Sequence, residues 1–204
     1  MTLSLMRPVS FAVLVLALAA PPKVRAQAGS GPGPFAGPEL PSATVAVFPA
    51  SLYNEQANVR EPSDTAQAAL ATEVLRQRLR ERLGGQALDY AAVDSAASAP
   101  AALALAGGIA CHLRVACAVE VGRTLGARWV VLAKVSKTSN LIWLLSAQLV
   151  RVATGEIVLD DSTELKGDPA QMVRVGTRIF ADRVVRTVRN GGVATNFPNA
   201  SPTP

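Results

Sequence analysis

Residues 117–165 read CAVEVGRTLGARWVVLAKVSKTSNLIWLLSAQLVRVATGEIVLDDSTEL, and the spacing of their apolar residues decides the fold. Ala118, Val121, Gly122 and Leu125 recur at helical intervals, which predicts a short helix opening just after Cys117 and stopping at Gly126. A strand follows at once. Residues 128–136 are Val-rich and apolar on both faces, and residues 141–152 repeat that character with Leu, Ile and Trp143, so both strands are expected to be covered on both sides. Ala153, Thr154, Gly155 and Glu156 form a turn signal. The third strand, 157–165, alternates: Ile157, Leu159 and Leu165 share one side and Asp160, Ser162 and Glu164 the other, as at a half-solvated sheet edge.

Upstream, Thr44–Phe48 (TVAVF) is a short β-branched strand closed by Pro49, and Ala50–Pro62 reads as polar loop. Asp64, with Gln67 three residues on, has the spacing of a helix cap, and Ala68, Thr72, Leu75, Leu79 and Leu83 make one stripe up to Gly84-Gly85. Gln86–Val93 is expected to be a second strand and Ala96–Ala106 a weak helix. Downstream, Asp168 caps a last helix with Pro169 at its first position, and Val173, Thr177, Phe180, Val184 and Val188 share a face before Asn190-Gly191-Gly192 ends it. The result is a single α/β domain over residues 44–190, a mixed β-sheet in the order β-α-β-α-β-β-β-α with an antiparallel C-terminal meander.

The chain has 204 residues, and its two ends read differently from its middle. Arg7, the apolar run Phe11–Ala20, the Pro21-Pro22 break and Ala26-Gln27-Ala28 match a signal peptide spanning residues 1–28. Residues 29–43 are a Gly/Pro-rich flexible leader and residues 191–204 a polar tail, both expected to be disordered. Loss of Arg7, Lys23 and Arg25 lowers the formal charge from +5 to +2, so the basic balance belongs largely to the export signal. With nine aromatic residues and no basic stripe, nucleic-acid binding is not expected. The run Leu141–Val150 is far short of the roughly 20 residues a membrane span needs, and no cysteine near the cleavage site accepts a lipid. The exported chain is expected to be soluble, without a stable membrane anchor, and periplasmic or secreted.

Cys111 and Cys117 are the only cysteines, an even count in an exported chain, and a disulfide between them is the default reading. The alternative, a metal held by Cys111, His112 and Cys117, lacks a fourth ligand. His112 is the only histidine, and no GxSxG element accompanies it. Asp160 and Asp161 are adjacent, so on a strand they point to opposite faces and do not pair as acid and base. Ser136 beside Lys137 evokes a serine–lysine dyad, but neighbours on a strand or turn are poorly placed for one. No cofactor is implied. Lys134, Lys137 and Asn140 flank the polar turn Ser136–Asn140, where donors on rigid strand ends suit an acidic or carbonyl-bearing partner; the competing reading makes them solubilising turn residues.

The run Cys111–Cys117, then AVEVGRTLGARWVVLAKVSK, then Arg151-Val152-Ala153-Thr154-Gly155-Glu156 resembles a group of exported bacterial domain-of-unknown-function proteins. More distantly the chain is similar to the amino-terminal domain of the Tol-Pal translocation protein and to the periplasmic domain of the curli-secretion lipoprotein. Arg151 departs from the acidic residue usual before the turn. The resemblance implies a non-catalytic periplasmic domain that binds a protein or assists envelope assembly, its partner an unidentified envelope or periplasmic protein. A small-ligand or envelope-polymer binding module is the alternative reading, and an enzyme with an unrecognised site the third.

Overall fold

Trp129–Lys137 is the central strand of the protein, because it alone is apolar enough to be buried along nearly its whole length on both faces. The computed structural model describes residues 44–54, 61–139 and 142–193. The signal peptide, the leader and residues 194–204 of the tail lie outside them, as do Asn140 and Leu141. In chain order the elements are β1 (Val45–Val47), β2 (Ser51–Asn54), α1 (Pro62–Leu83), α2 (Tyr90–Ala97), α3 (Pro100–Leu105), α4 (Val115–Thr124), β3 (Trp129–Lys137), β4 (Trp143–Arg151), β5 (Ile157–Leu165) and α5 (Pro169–Arg189). The fold is mixed α/β, as the sequence pattern predicts. β3, β4 and β5 form the antiparallel meander, and β1 pairs with β3 in parallel.

The polar loop expected after Pro49 contains a strand. β2 also pairs with β3 in parallel, Ser51 opposite Lys134 and Asn54 opposite Lys137, so β1 and β2 are one edge strand broken at Phe48–Ala50. Proline lacks the amide that a ladder needs, and an edge is where a sheet tolerates it. The break is held from the side, where the Ala50 amide donates to Thr72 Oγ1 of α1 at 2.8 Å. A second correction concerns Gln86–Val93. Only Ala87 makes a bridge, to Val45, after which Asp89 accepts from the Ala92 amide and starts α2, burying Val93 on a helix face. Asp89 is a good helix cap and alanine a poor strand former. The weak helix of residues 96–106 is split, with Pro100 opening α3.

α1 starts at Pro62 rather than after Asp64. Glu61 is its cap, and Asp64, at the third helical position, accepts the Glu61 amide at 3.1 Å. α4 starts two residues before Cys117. α5 follows its signals: Asp168 Oδ1 accepts from the Gln171 amide at 2.7 Å, and all five stripe residues are buried. Each such apolar side chain contributes roughly 1.5–3 kcal/mol.

One face of the sheet is covered by α1 and α5, with Leu75, Leu79, Phe180 and Val184 packed on Val45, Val131 and Leu149. α2, α3 and α4 cover the other face over Ala46, Val130, Leu132, Val150 and Val152, but only there. Beyond that patch β4 alternates buried and half-buried, with Leu144, Ser146 and Gln148 half-buried, so the double coverage expected of it holds only near Leu149 and Val150. β5 carries a bulge between the pairs Leu149–Leu159 and Val150–Ile157. The extra residue turns Val158 onto the core and leaves Ile157 exposed, contrary to the simple alternation.

Candidate functional site

The uncovered half of the second sheet face is the candidate site. Pairing aligns a cross-strand row of Ser51 on β2, Lys134 on β3, Ser146 on β4 and Ser162 on β5, with Gln148 facing Asp160 in the adjacent row. The Lys134 ammonium lies 5.7 Å from the ring centre of Tyr53, whose side chain is 53% exposed. The Ser146 and Ser162 hydroxyls are 3.3 Å apart. A shallow cleft of about 190 Å³ lies at the covered end of this strip, lined by Ser51, His112, Leu113, Lys134, Ser146 and Gln148.

The wall of the cleft is built by the cysteine pair. Cys111 and Cys117 are bonded, with their Cα atoms 5.3 Å apart and both residues buried. The bond closes Cys111–Leu113, a single 3₁₀ turn, onto the start of α4 and holds His112 and Leu113 beside the strands. His112 is half-buried, and that burial pushes its imidazole below the ordinary value of 6.5, with Asp94 pulling the other way. Ser51 and Ser146 share the cleft with it, yet no hydrogen bond joins the imidazole to either hydroxyl. A nucleophile needs that pairing. Among the described residues no group of three His, Cys, Asp or Glu side chains is gathered to hold a metal, and no helix is long and apolar enough to cross a membrane.

The residues singled out by sequence are separated by the pleat. Lys134 projects onto the open face and is exposed. Lys137 does not stand in a solvent-facing turn: with Ser136 it ends β3, and both are buried. Its ammonium donates to Asp64 Oδ1 at 2.8 Å and lies 5.5 Å from the Trp143 ring centre, on the α1/α5 face. Asn140 lies outside the described residues. Asp160 and Asp161 do face opposite ways, Asp161 bound to Arg183 of α5 and Asp160 exposed. Arg151 sits over the Trp129 ring at 4.8 Å and pairs with Glu156 at 3.4 Å, so the residue that departs from the related pattern has a packing role. Sequence reasoning missed Ser51, Tyr53, Ser146 and Gln148. The last two were legible, since polar residues at 146 and 148 alternate with Leu145, Ala147 and Leu149.

Residues 43–184 match the DUF3280 family model, described as "Protein of unknown function (DUF2380)", and the chain belongs to that family. The resemblance drawn from the pattern over residues 111–156 is borne out by this membership. No curated protein matches the chain. Among solved structures it is similar to the LpoB C-terminal domain from Escherichia coli, at 22% identity over 62% of this chain and 84% of that one, with a TM-score of 0.43. It is also similar to the PelC dodecamer from Paraburkholderia phytofirmans, at 13% identity over 68% and 85%, TM-score 0.40. TolB from Acinetobacter baumannii matches at 13% identity over 74% of this chain and 29% of that one, TM-score 0.40.

Proposed function

We propose that this member of the DUF3280 family is a non-catalytic, exported domain that binds a protein partner of the cell envelope through the open half of its sheet. The observation that carries the reading is the strip itself: a rigid, flat surface on which Lys134, Tyr53, Ser146 and Gln148 stand uncovered by helix. Its cleft of about 190 Å³ is smaller than the roughly 300–1,000 Å³ usual for small-molecule sites, and suits a single side chain of a larger partner. The exported setting is supported by the signal-peptide pattern of residues 1–28 and by a disulfide, which persists in oxidising compartments.

Of the three rim residues, Lys134 carries this proposal, because the Lys137 ammonium is engaged inside the fold. A photo-crosslinking residue at Gln148 in exported protein should give a discrete protein adduct that the same residue at Glu120 on α4 does not give. Lys134→Glu should weaken that adduct while stability stays within about ±0.5 kcal/mol. No adduct at Gln148, or equal adducts at both positions, would sink the reading. Amino-terminal sequencing of the exported chain should begin at Gly29, and a chain still carrying Met1 would remove the periplasmic assignment.

A second reading rests on the cross-strand row Ser51–Lys134–Ser146–Ser162, whose donors and acceptors recur at the roughly 4.8 Å strand spacing. Such a ladder suits a polyhydroxylated envelope polymer. Crosslinking to a glycan in place of a protein would favour it.

A further inference from the structure

The α1/α5 layer carries a charge pattern that the sheet site does not use. Two contacts rise together along the helices, Arg78 to Asp182 and Arg189 to the Arg82 carbonyl, so α1 and α5 run parallel. On α1, Glu73, Gln77 and Glu81 form an exposed row at four-residue spacing. Across a groove of about 230 Å³, α5 presents Arg174 and Arg178. Both arginines and Glu73 are exposed, and none of the three makes an ion pair among the described residues. On the other side of the arginines stand Val175 and Ile179, 44% and 56% exposed.

Opposite charges laid in two parallel rows are complementary to themselves. Rotation by 180° about an axis along the groove sets the acidic row of one molecule against the basic row of another, and the reverse contact forms at the same time. The geometry points to this face as a two-fold docking surface for a second copy of the chain, with Glu73 and Glu81 meeting the partner copy's arginines. Such an isologous contact doubles every favourable pair, and it leaves the open sheet strip on the opposite side of the molecule free. It therefore stands independently of the partner-binding reading.

Sedimentation of the purified exported chain tests it. Self-association is expected, weakening by about tenfold or more between about 0.01 M and 1 M salt, where the screening length falls from roughly 30 Å to 3 Å. Glu73→Arg with Glu81→Arg makes both rows basic, and Arg174→Glu with Arg178→Glu makes both acidic. Each double variant alone should be monomeric with an unchanged melting temperature, because the side chains are exposed. Mixed in equal amounts the two should associate again, since each then meets a row of opposite sign. A wild-type chain that stays monomeric at low salt would overturn the proposal. So would association that neither variant disturbs, or a mixture that remains monomeric.

Discussion

The Lys137 ammonium and the Asp64 carboxylate meet at 2.8 Å with only 4% and 1% of their side chains exposed, joining the last residue of β3 to the first turn of α1. The Asn54 amide donates to the second carboxylate oxygen at 3.1 Å, so the end of β2 is drawn into the same cluster. A buried pair of this kind sets which ends meet more than it stabilises the fold, because desolvation offsets much of the attraction. Lys137→Met, which takes the ammonium away from buried Asp64, is expected to cost about 3–5 kcal/mol. Lys137→Met combined with Asp64→Leu should cost much less than the two single changes added together. Urea denaturation of the three variants measures the coupling, and additive losses would contradict this account.

Gly122 is the closest approach of α4 to the sheet. A Cβ built there would lie 2.5 Å from Val130 Cγ1 and 3.1 Å from Val152 Cγ2. Alanine gains about 1 kcal/mol in helix propensity, but the side chains it meets belong to a close-packed layer, where overpacking costs typically 1–3 kcal/mol. Gly122→Ala is expected to lower thermal stability, and a raised melting temperature would show that the layer yields.

Exported protein should contain no free thiol when counted under denaturing conditions. Replacing both cysteines by alanine is expected to cost about 2 kcal/mol for so short a loop. The larger effect should fall on the cleft wall, since the bond is what fixes His112 and Leu113 against the strands. Hydrogen exchange of residues 111–115, faster in the double-alanine variant while β3 stays protected, is the measurement.

Acidification should act through two groups. The hydrogen bond from Arg78, at 3.0 Å from Nε and 3.1 Å from Nη2, holds the Asp182 carboxyl below its ordinary 3.8. The unfolded chain therefore binds that proton first, and stability present above pH 3.8 is lost as pH falls toward the lower folded value. Burial lowers the His112 imidazole below 6.5, so here too the unfolded state takes the proton first and stability falls as pH drops below about 6.5. His112→Gln should flatten the stability profile between about pH 7 and 5. Arg78→Gln should flatten only the limb near and below pH 4. A His112→Gln profile that still falls through pH 6 would exclude the imidazole as its source.

What the sequence determined by itself is whatever rests on local periodicity and punctuation. The meander of β3, β4 and β5, the capped and striped α5, the buried stripe of α1 and the pairing of Cys111 with Cys117 were all legible, because each signal is complete within one stretch of chain. Tertiary structure decided the rest. β2 resumes beyond Pro49 only because β3 offers it a ladder, and residues 90–93 became helix because Asp89 caps them more strongly than alanines favour a strand. Lys137, polar and next to a turn, is buried because β3 runs to its end and Asp64, 73 residues earlier, supplies the counter-charge. The acidic row of α1 and the basic row of α5 are each an ordinary solvated helix face when read alone. They become one self-complementary surface only when both helices pack side by side on the sheet, a proximity between segments about 100 residues apart that no local pattern encodes.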